Sequence, residues 1–584
     1  MAFVLVAVVF AVYSNTLSAP FVFDDHSSIR NNISIRELWP PAPAELGGTR
    51  GRPVANWSYA LNYALGGYSP VGFHLFNTAI HAACALTLFG LVRRTMRQST
   101  RGVTSERAAN LFAGATALIW AVHPLHTESV TYLSQRTESL MGFFYLATLY
   151  CFARGVDSTG RPAAWLALSV AACYAGMATK ETMVTAPVVV LLYDRAFARG
   201  DLWLALRTRY RFYAALGSSW LVLASLLSGI ASRGAGFSLG VSPLEYALTE
   251  ACVVLNYLRL SVWPAPLIFD YGDDIVRSLR EAWPCCILLL GLATAVLINL
   301  VRRPAFGFLL AWPFLLLAPT SSFVPIALRP MAEHRMYLPL AALVVLAVLA
   351  LRHVVATGRW MIVGLLSIVL GSVAHHRNEA YRDEIRLWRD TVTKRPANSR
   401  AHLNLGAAYL NRGQIAAARF HLSQAIALNP RNPEAFVNLG CLAAQSGQFA
   451  EALAHFEAAL RLNPASTTAL YNRGCVLQKT GKLADAGRAF AEALRLNPNY
   501  GEAHNNLATV LAAAGRFESA ISHYSESLRI APADAEVHAN RADAYRALGK
   551  TTDAIADYLT ALALRPDMVD IRSKLQALQS VPPK

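Results

Sequence analysis

Two adjacent aspartates, Asp24 and Asp25, follow the first apolar run of the chain, Ala2 to Val12 continuing to Leu17. Phe21 and Phe23 precede them and would pin the doublet at a membrane face. A carboxylate is costly inside hydrocarbon and unremarkable far out in water; at the boundary it can reach a lipid head group. Later segments add the groups such a carboxylate would need. His123-x-x-His126-x-Glu128 is followed by Arg136 and Glu138. Lys180-Glu181 separates two apolar stretches, and Glu333-His334-Arg335 directly precedes another.

The histidine spacing admits two readings. His-x-x-His with a carboxylate two residues on has metal-ligand spacing, although Pro124 interrupts it and no third strong ligand is near in sequence. The other reading sets His123, His126, Glu128, Arg136, Lys180, Glu181, Glu333, His334 and Arg335 around an anionic lipid phosphate, and it leaves a divalent-metal requirement open. Carboxylates, histidines and cations on one face suit glycosyl transfer from a lipid phosphate. One carboxylate takes the proton of an attacking hydroxyl, and cations stabilise the departing phosphate. The same mixture could serve a proton-coupled transporter, but the spans offer little midplane charge for one.

The elements that must hold these residues are membrane helices. The 584 residues are 54% hydrophobic and only 15% charged, less charge than soluble chains carry. The net charge of +16 does not point to nucleic acid, because the arginines concentrate between apolar runs. Arg93, Arg94, Arg97, Arg101 and Arg107 form one group, and Arg195, Arg199, Arg207, Arg209 and Arg211 another, as cytoplasmic loops do. With both groups cytoplasmic, the loops at 20–70, 123–137, 179–181 and 231–243 lie on the other face. About 11 spans then bring the tail to that same face. The first run, lacking a basic leader and a clear cleavage site, reads as a retained span. Sequons at Asn32 and Asn56 would report topology if glycosylated.

The tail repeats every 34 residues. Prolines recur at 396, 430, 464, 498, 532 and 566, and alanines at 418, 452, 486, 520 and 554, the latter followed by Leu422, Phe456, Phe490, Tyr524 and Tyr558. This is the tetratricopeptide period, with five full repeats over about 399–566. Asn404, Asn438, Asn472, Asn506 and Asn540 keep the same register on the first helix of each repeat. A ladder of amides can bond an extended peptide's backbone without reading its sequence. Trp388 falls at the aromatic position of a preceding half repeat. The chain is therefore expected to be all-α, with a polytopic membrane bundle at 1–377, a linker or capping helix at 378–398 and a tetratricopeptide solenoid with a terminal capping helix at 399–584. Cys84, Cys151, Cys173, Cys252, Cys285 and Cys286 read as small packing residues. A Cys441–Cys475 disulfide is open on spacing alone.

Taken in order, several motifs resemble one family. They are Phe21-Val-Phe-Asp24-Asp25, Arg52-Pro53, Leu61-Asn62-Tyr63, Gly72-Phe73-His74-Leu75-Phe-Asn77 with His81, Ala121-Val-His123-Pro-Leu-His126-Thr-Glu128 with Arg136, Lys180-Glu181, and Ala332-Glu333-His334-Arg335-Met-Tyr337-Leu-Pro339. The pattern resembles the transmembrane and tetratricopeptide-repeat O-mannosyltransferases, the TMTC family, over nearly the whole chain. The resemblance implies a GT-C glycosyltransferase with its active face in the endoplasmic reticulum lumen, where the repeats also lie. It implies dolichyl phosphate mannose as donor and Ser or Thr hydroxyls of secretory-pathway proteins as acceptors, with the catalytic carboxylate among Asp24 and Asp25. Longer members carry more repeats than five. An Ala/Arg-rich composition also fits a bacterial relative, with another polyprenyl carrier, an inner-membrane bundle and periplasmic repeats. A different class of function, a non-catalytic membrane scaffold whose repeats recruit a partner protein, would not need the aspartates.

Overall fold

The computed structural model describes residues 1–41, 49–99, 105–158, 160–226, 241–321, 329–354 and 358–580. Arg101 and most of the 231–243 loop, both used above to assign faces, lie outside the described residues. The described chain is helical and divides into two compact units, Met1–Asn398 and Ser399–Lys584.

Among the described residues of the first unit, four helices are long and apolar enough to cross a membrane: Pro70–Gln98, Leu133–Asp157, Leu279–Arg302 and Arg359–Arg382. A fifth results if Glu106–Ala121 and Pro124–Thr131, bent by 55°, form one broken span. Ala2–Thr16, Pro162–Met177, Pro304–Leu317 and Pro339–Arg352 are shorter apolar helices. Where about 11 spans were expected, much of the remaining apolar sequence folds as short pieces, among them Ala186–Asp194, Tyr210–Gly217 and Ser219–Leu226. Helix Leu279–Arg302 makes the solvent plain. It buries only Ala282 and leaves Ile287, Leu288, Leu290, Leu297, Ile298 and Val301 outward. A continuous apolar face of that length is tolerated in hydrocarbon rather than in water.

Helix Pro70–Ser99 fixes the depth of the bundle. Phe73 and His74 lie near its start and Arg93, Arg94 and Arg97 near its end. The 20 residues from His74 to Arg94 rise about 30 Å, the thickness of a bilayer's hydrocarbon. Helix Arg136–Asp157 runs beside it in the opposite sense: Arg136 bonds the Phe73 carbonyl at 3.1 Å, and Asp157 meets Arg94 at 2.9 Å. The two helices therefore frame one polar layer at each membrane face.

Two cysteines read as packing residues are paired: Cys252, on Pro243–Val262, forms a disulfide with Cys285 on Leu279–Arg302. Cys441 and Cys475 are free thiols. Periodicity cannot show which of several membrane cysteines become neighbours.

The second unit is five antiparallel helix pairs, from Ser399–Asn411 with Ile415–Leu428 to Ala535–Ala547 with Thr551–Leu564, followed by Val569–Gln579. Each pair turns on a glycine in the left-handed region, at 413, 447, 481, 515 and 549, with φ between +69° and +77°. Only glycine adopts that conformation at no steric cost. In the first three pairs a second glycine, at 406, 440 and 474, sits where the paired helices touch. A Cβ at Gly440 would lie 2.5 Å from the Phe456 ring, and one at Gly474 would lie 2.6 Å from Phe490. The alanines at 418, 452, 486, 520 and 554 are fully buried at the same crossings. Replacing Gly440 by Val should therefore force Phe456 from its site and cost about 1–3 kcal/mol. Thermal unfolding of the full chain followed by circular dichroism would show this as a lowered transition of the repeats, and an unchanged transition would refute the close-packing account.

Candidate active site

The first loop is set by one unusual residue. Phe23 has φ +48°, a left-handed conformation rare outside glycine. The turn sends consecutive side chains to different places. Phe21 goes edge-on to Phe73, and Phe23 goes edge-on to Phe269 and Trp388. The two aspartates are also separated. Asp25 is 1% exposed; its Oδ2 accepts the Val22 N–H at 3.1 Å and its Oδ1 the Ser134 N–H at 2.7 Å. Asp24 is only partly buried, and its carboxylate accepts no hydrogen bond from the described residues. Its backbone N–H donates to the Tyr132 hydroxyl at 2.9 Å, which fixes the main chain and leaves the side chain free.

Burial pushes the Asp25 carboxyl up to about 7, against the pull of its two N–H donors. Arg329 lies within electrostatic reach of both Asp270 and Asp24. Its guanidinium lies over Phe23 at 5.2 Å and Phe269 at 5.6 Å. Burial works against that charge, but Asp270, Asp24, Tyr132 and Glu128 outweigh it and hold the Arg329 pKa above its usual value. Arg329 appears in the sequence only as the start of a charged cluster; its approach to Asp24 requires a long-range fold that spacing does not display. Arg335 builds the ledge that presents it, donating to the carbonyls of Arg329 at 2.7 Å and Pro330 at 2.6 Å. Arg335 acts there through the backbone, with its own charge 3.7 Å from Glu250.

The other residues singled out from sequence separate into groups. Glu128 and His334 form one pair: Glu128 Oε2 accepts the His334 N–H at 2.9 Å, and Oε1 lies 2.8 Å from Nδ1. Glu333 uses Oε1 for both the Ile268 N–H, at 2.6 Å, and the Tyr271 hydroxyl, at 2.7 Å. Its Oε2 has no partner among the described residues, and burial lifts this carboxyl to about 7 despite the nearby Arg377. Lys180 pairs with Glu138, and Glu181 with Arg52 at 2.7 Å. Burial works to raise the Glu181 carboxyl, yet Arg52 and Lys180 hold it near 2. Arg136 is wholly buried. It donates to Asn77 at 2.6 Å, the Ser58 carbonyl at 3.0 Å and the Phe73 carbonyl, and Tyr59 lies 4.4 Å from its guanidinium. Its hydrogen-bonding capacity is spent inside the protein.

His123 uses both ring nitrogens, Nδ1 accepting the Leu125 N–H at 3.3 Å and Nε2 lying 3.2 Å from the Ser261 carbonyl. The His126 ring nitrogens have no hydrogen-bond partner among the described residues, and the ring packs between Trp120 and Tyr337. Glu128, the carboxylate of the metal-like spacing, is turned to His334. Among the described residues no group of three or more His, Cys, Asp and Glu is arranged to hold a metal ion. The sequon asparagines are likewise internal: Asn32 Nδ2 donates to Asn56 Oδ1 at 2.9 Å, and both side chains are buried. They cannot report topology in the folded protein. Trp388, placed by sequence in a half repeat, lies buried against Phe269 in the first unit.

In the second unit Asn404, Asn438, Asn472, Asn506 and Asn540 all stand half-buried on the first helix of their repeats. Asn506 donates to the Tyr471 hydroxyl at 3.1 Å. The other four amides make no hydrogen bond among the described residues.

Fold and site together define a multi-pass helical membrane protein with a C-terminal tetratricopeptide array and an acidic doublet after its first helix. A tetratricopeptide-repeat family model matches 377–433, 403–467, 437–477 and 471–535, and a TPR-repeat model matches 542–578. The curated homologues of the chain are TMTC protein O-mannosyltransferases. It is 30% identical over 314 residues to Protein O-mannosyl-transferase Tmtc1 of Drosophila melanogaster, covering 47% of this chain and 35% of that protein. It is 23% identical over 501 residues to Tmtc3 of the same organism, covering 71% and 54%. With human TMTC2 it shares 28% over 302 residues, covering 46% and 35%. The chain thus spans about a third to a half of the length of these relatives. Among solved structures, YrrB, described as a TPR protein with an unusual peptide-binding site, is 20% identical with TM-score 0.29, covering 32% of this chain and 97% of that one. The MamA protein is 21% identical with TM-score 0.27, covering 30% and 94%.

The state of Glu333 gives a direct prediction. Its folded pKa lies above the unfolded value, so the stability it contributes is complete below the ordinary carboxylate range and is lost as pH rises toward 7. Glu333→Gln keeps the one oxygen that accepts both bonds and removes the titration. Between pH 4.5 and 7.5 the native protein should lose on the order of 1–3 kcal/mol more stability than the variant. Melting temperatures across that range would test it, and parallel curves would refute it.

Proposed function

We propose that this chain is a membrane mannosyltransferase that moves mannose from a polyprenyl phosphate, dolichyl phosphate in a eukaryotic membrane, to Ser or Thr hydroxyls of secretory-pathway proteins. The observation that carries the reading is the division of the doublet: Asp24 keeps an unengaged, partly exposed carboxylate within electrostatic reach of Arg329, while Asp25 is buried and held by two backbone donors. In the proposed step the acceptor oxygen attacks C1 of the mannose as the bond from C1 to the phosphate oxygen breaks, with inversion. Asp24 takes the hydroxyl proton. The leaving phosphate stays on the lipid and develops its charge beside Arg329. Asp25 is a positioning residue that ties the loop to the start of helix Arg136–Asp157. The names of the relatives support the transfer chemistry, and the partly exposed amides of Asn404, Asn438, Asn472 and Asn540 support a groove for an extended acceptor polypeptide. The active face and the repeats would lie together in the endoplasmic reticulum lumen, or in the periplasm of a bacterial cell.

The two aspartates should fail differently. Asp24→Asn should lower kcat for transfer from polyprenyl phosphate mannose to a Ser/Thr peptide by about 10²–10⁴-fold while leaving the melting temperature unchanged. Asp25→Asn should lower the melting temperature, because an amide presents a donor to one of two N–H groups. Full activity in the Asp24 variant would overturn the assignment of the base. A chain that never transfers mannose, yet captures a partner through the repeats irrespective of Asp24, would be the non-catalytic scaffold instead.

A further inference from the structure

The opposite end of the membrane unit carries a second feature, independent of the transfer reading. Helix Pro70–Ser99 places Arg93, Arg94 and Arg97 about 30 Å along its axis from the His74 level, at the other membrane face. Beside them Arg154 projects from the end of Arg136–Asp157. These four guanidinium groups line one hollow of about 690 Å³. Asp157 is the only carboxylate among the described residues lining it, and it is paired with Arg94 at 2.9 Å. Arg97 reaches Glu106 at 3.4 Å. Arg93 and Arg154 have no carboxylate partner among the described residues. Arg93 lies over Phe89 at 5.6 Å and Arg154 over Trp165 at 4.1 Å, so aromatic rings hold both side chains without neutralising them.

Phe197 lines this hollow and also a second cavity of about 310 Å³, walled by Leu91, Phe308, Leu309 and Ala305. The second cavity is almost wholly apolar and lies between helices Pro70–Ser99, Pro304–Leu317 and Pro339–Val354. Positive charge without counter-ions at a membrane face selects anions, and Arg matches the oxygens of a phosphate. An apolar cavity meeting that charge at one shared residue selects an anion with a hydrocarbon chain.

We propose that this is a binding site for an anionic glycerophospholipid, its phosphate held by Arg93 and Arg154 and one acyl chain laid past Phe197 into the apolar cavity. The site lies across the bilayer from Asp24 and shares none of its residues.

The test is native mass spectrometry of the full chain in detergent, with dioleoylphosphatidylglycerol, dioleoylphosphatidylcholine or inorganic phosphate added in turn. One phosphatidylglycerol should be retained at least tenfold more than phosphatidylcholine. Retention should fall at least tenfold in Arg93→Gln/Arg154→Gln and also in Ala305→Trp, which fills the apolar cavity at an exposed position and leaves the charge intact. Arg93→Lys/Arg154→Lys, which keeps the charge but gives up the fork and the ring stacking, should retain more lipid than the Gln pair and less than the native chain, which separates loss of charge from damage to the fold. Inorganic phosphate should not displace it. Equal retention of the two lipids, binding unchanged in the Gln pair or in Ala305→Trp, or displacement by free phosphate would overturn the proposal.

Discussion

The Asp25 carboxylate closes the first loop onto the rest of the membrane unit, and the geometry of the site depends on that closure. Its two oxygens accept one N–H from its own loop, at Val22, and one from Ser134, more than a hundred residues away. Hydrogen bonds to an ionised acceptor are about twice as strong as neutral ones. Here they offset only part of the cost of burying a carboxylate, so the Asp25 carboxyl still titrates near 7. Ser134 sits two residues before Arg136, whose donors reach Asn77 and the carbonyls of Ser58 and Phe73. A chain of buried polar contacts thus links the first loop to the starts of two long helices. With Asp25 fixed and Phe23 turned into the left-handed region, Asp24 is left partly open and within electrostatic reach of Arg329.

That arrangement explains why two like residues, adjacent in sequence, differ in chemistry. Environment separates them: one is desolvated and hydrogen-bonded, the other half open and beside a cation. Sequence pointed to the doublet because acidic residues just past an apolar run are uncommon. It could not divide the pair, since the division rests on a single φ angle and on Ser134. The same limit explains the cations. Arg136, Lys180 and Arg335 look in sequence like free charges facing a phosphate, but their partners, Ser58, Glu138 and the Pro330 carbonyl among them, are brought in by the fold. Arg329, just upstream of Glu333-His334-Arg335, is the cation whose charge Asp24 acts on, and spacing alone does not show it. The repeats were far more legible. A 34-residue period shows itself five times over, and Gly440 against Phe456 carries the same packing constraint as Gly474 against Phe490.

The membrane unit therefore has two polar layers joined by the same helices. One holds the buried network, Asp24 and Arg329. The other holds Arg93, Arg94 and Arg154 at the far ends of Pro70–Ser99 and Arg136–Asp157. Between them most side chains are apolar, and Leu279–Arg302 turns its apolar residues outward where only lipid can receive them. Ionisable groups at the two boundaries, rather than along the spans, suit chemistry at a lipid head group better than transport of protons through the bilayer.

The central claim concerns where the sugar sits. A cryo-EM map of the full chain bound to a non-transferable polyprenyl phosphate mannose analogue would show it directly. The account predicts the anomeric carbon facing the Asp24 carboxylate, with the phosphate within reach of the Arg329 guanidinium and Asp25 still bonded to Val22 and Ser134. A phosphate seated elsewhere, with Asp24 turned away from the sugar, would contradict it.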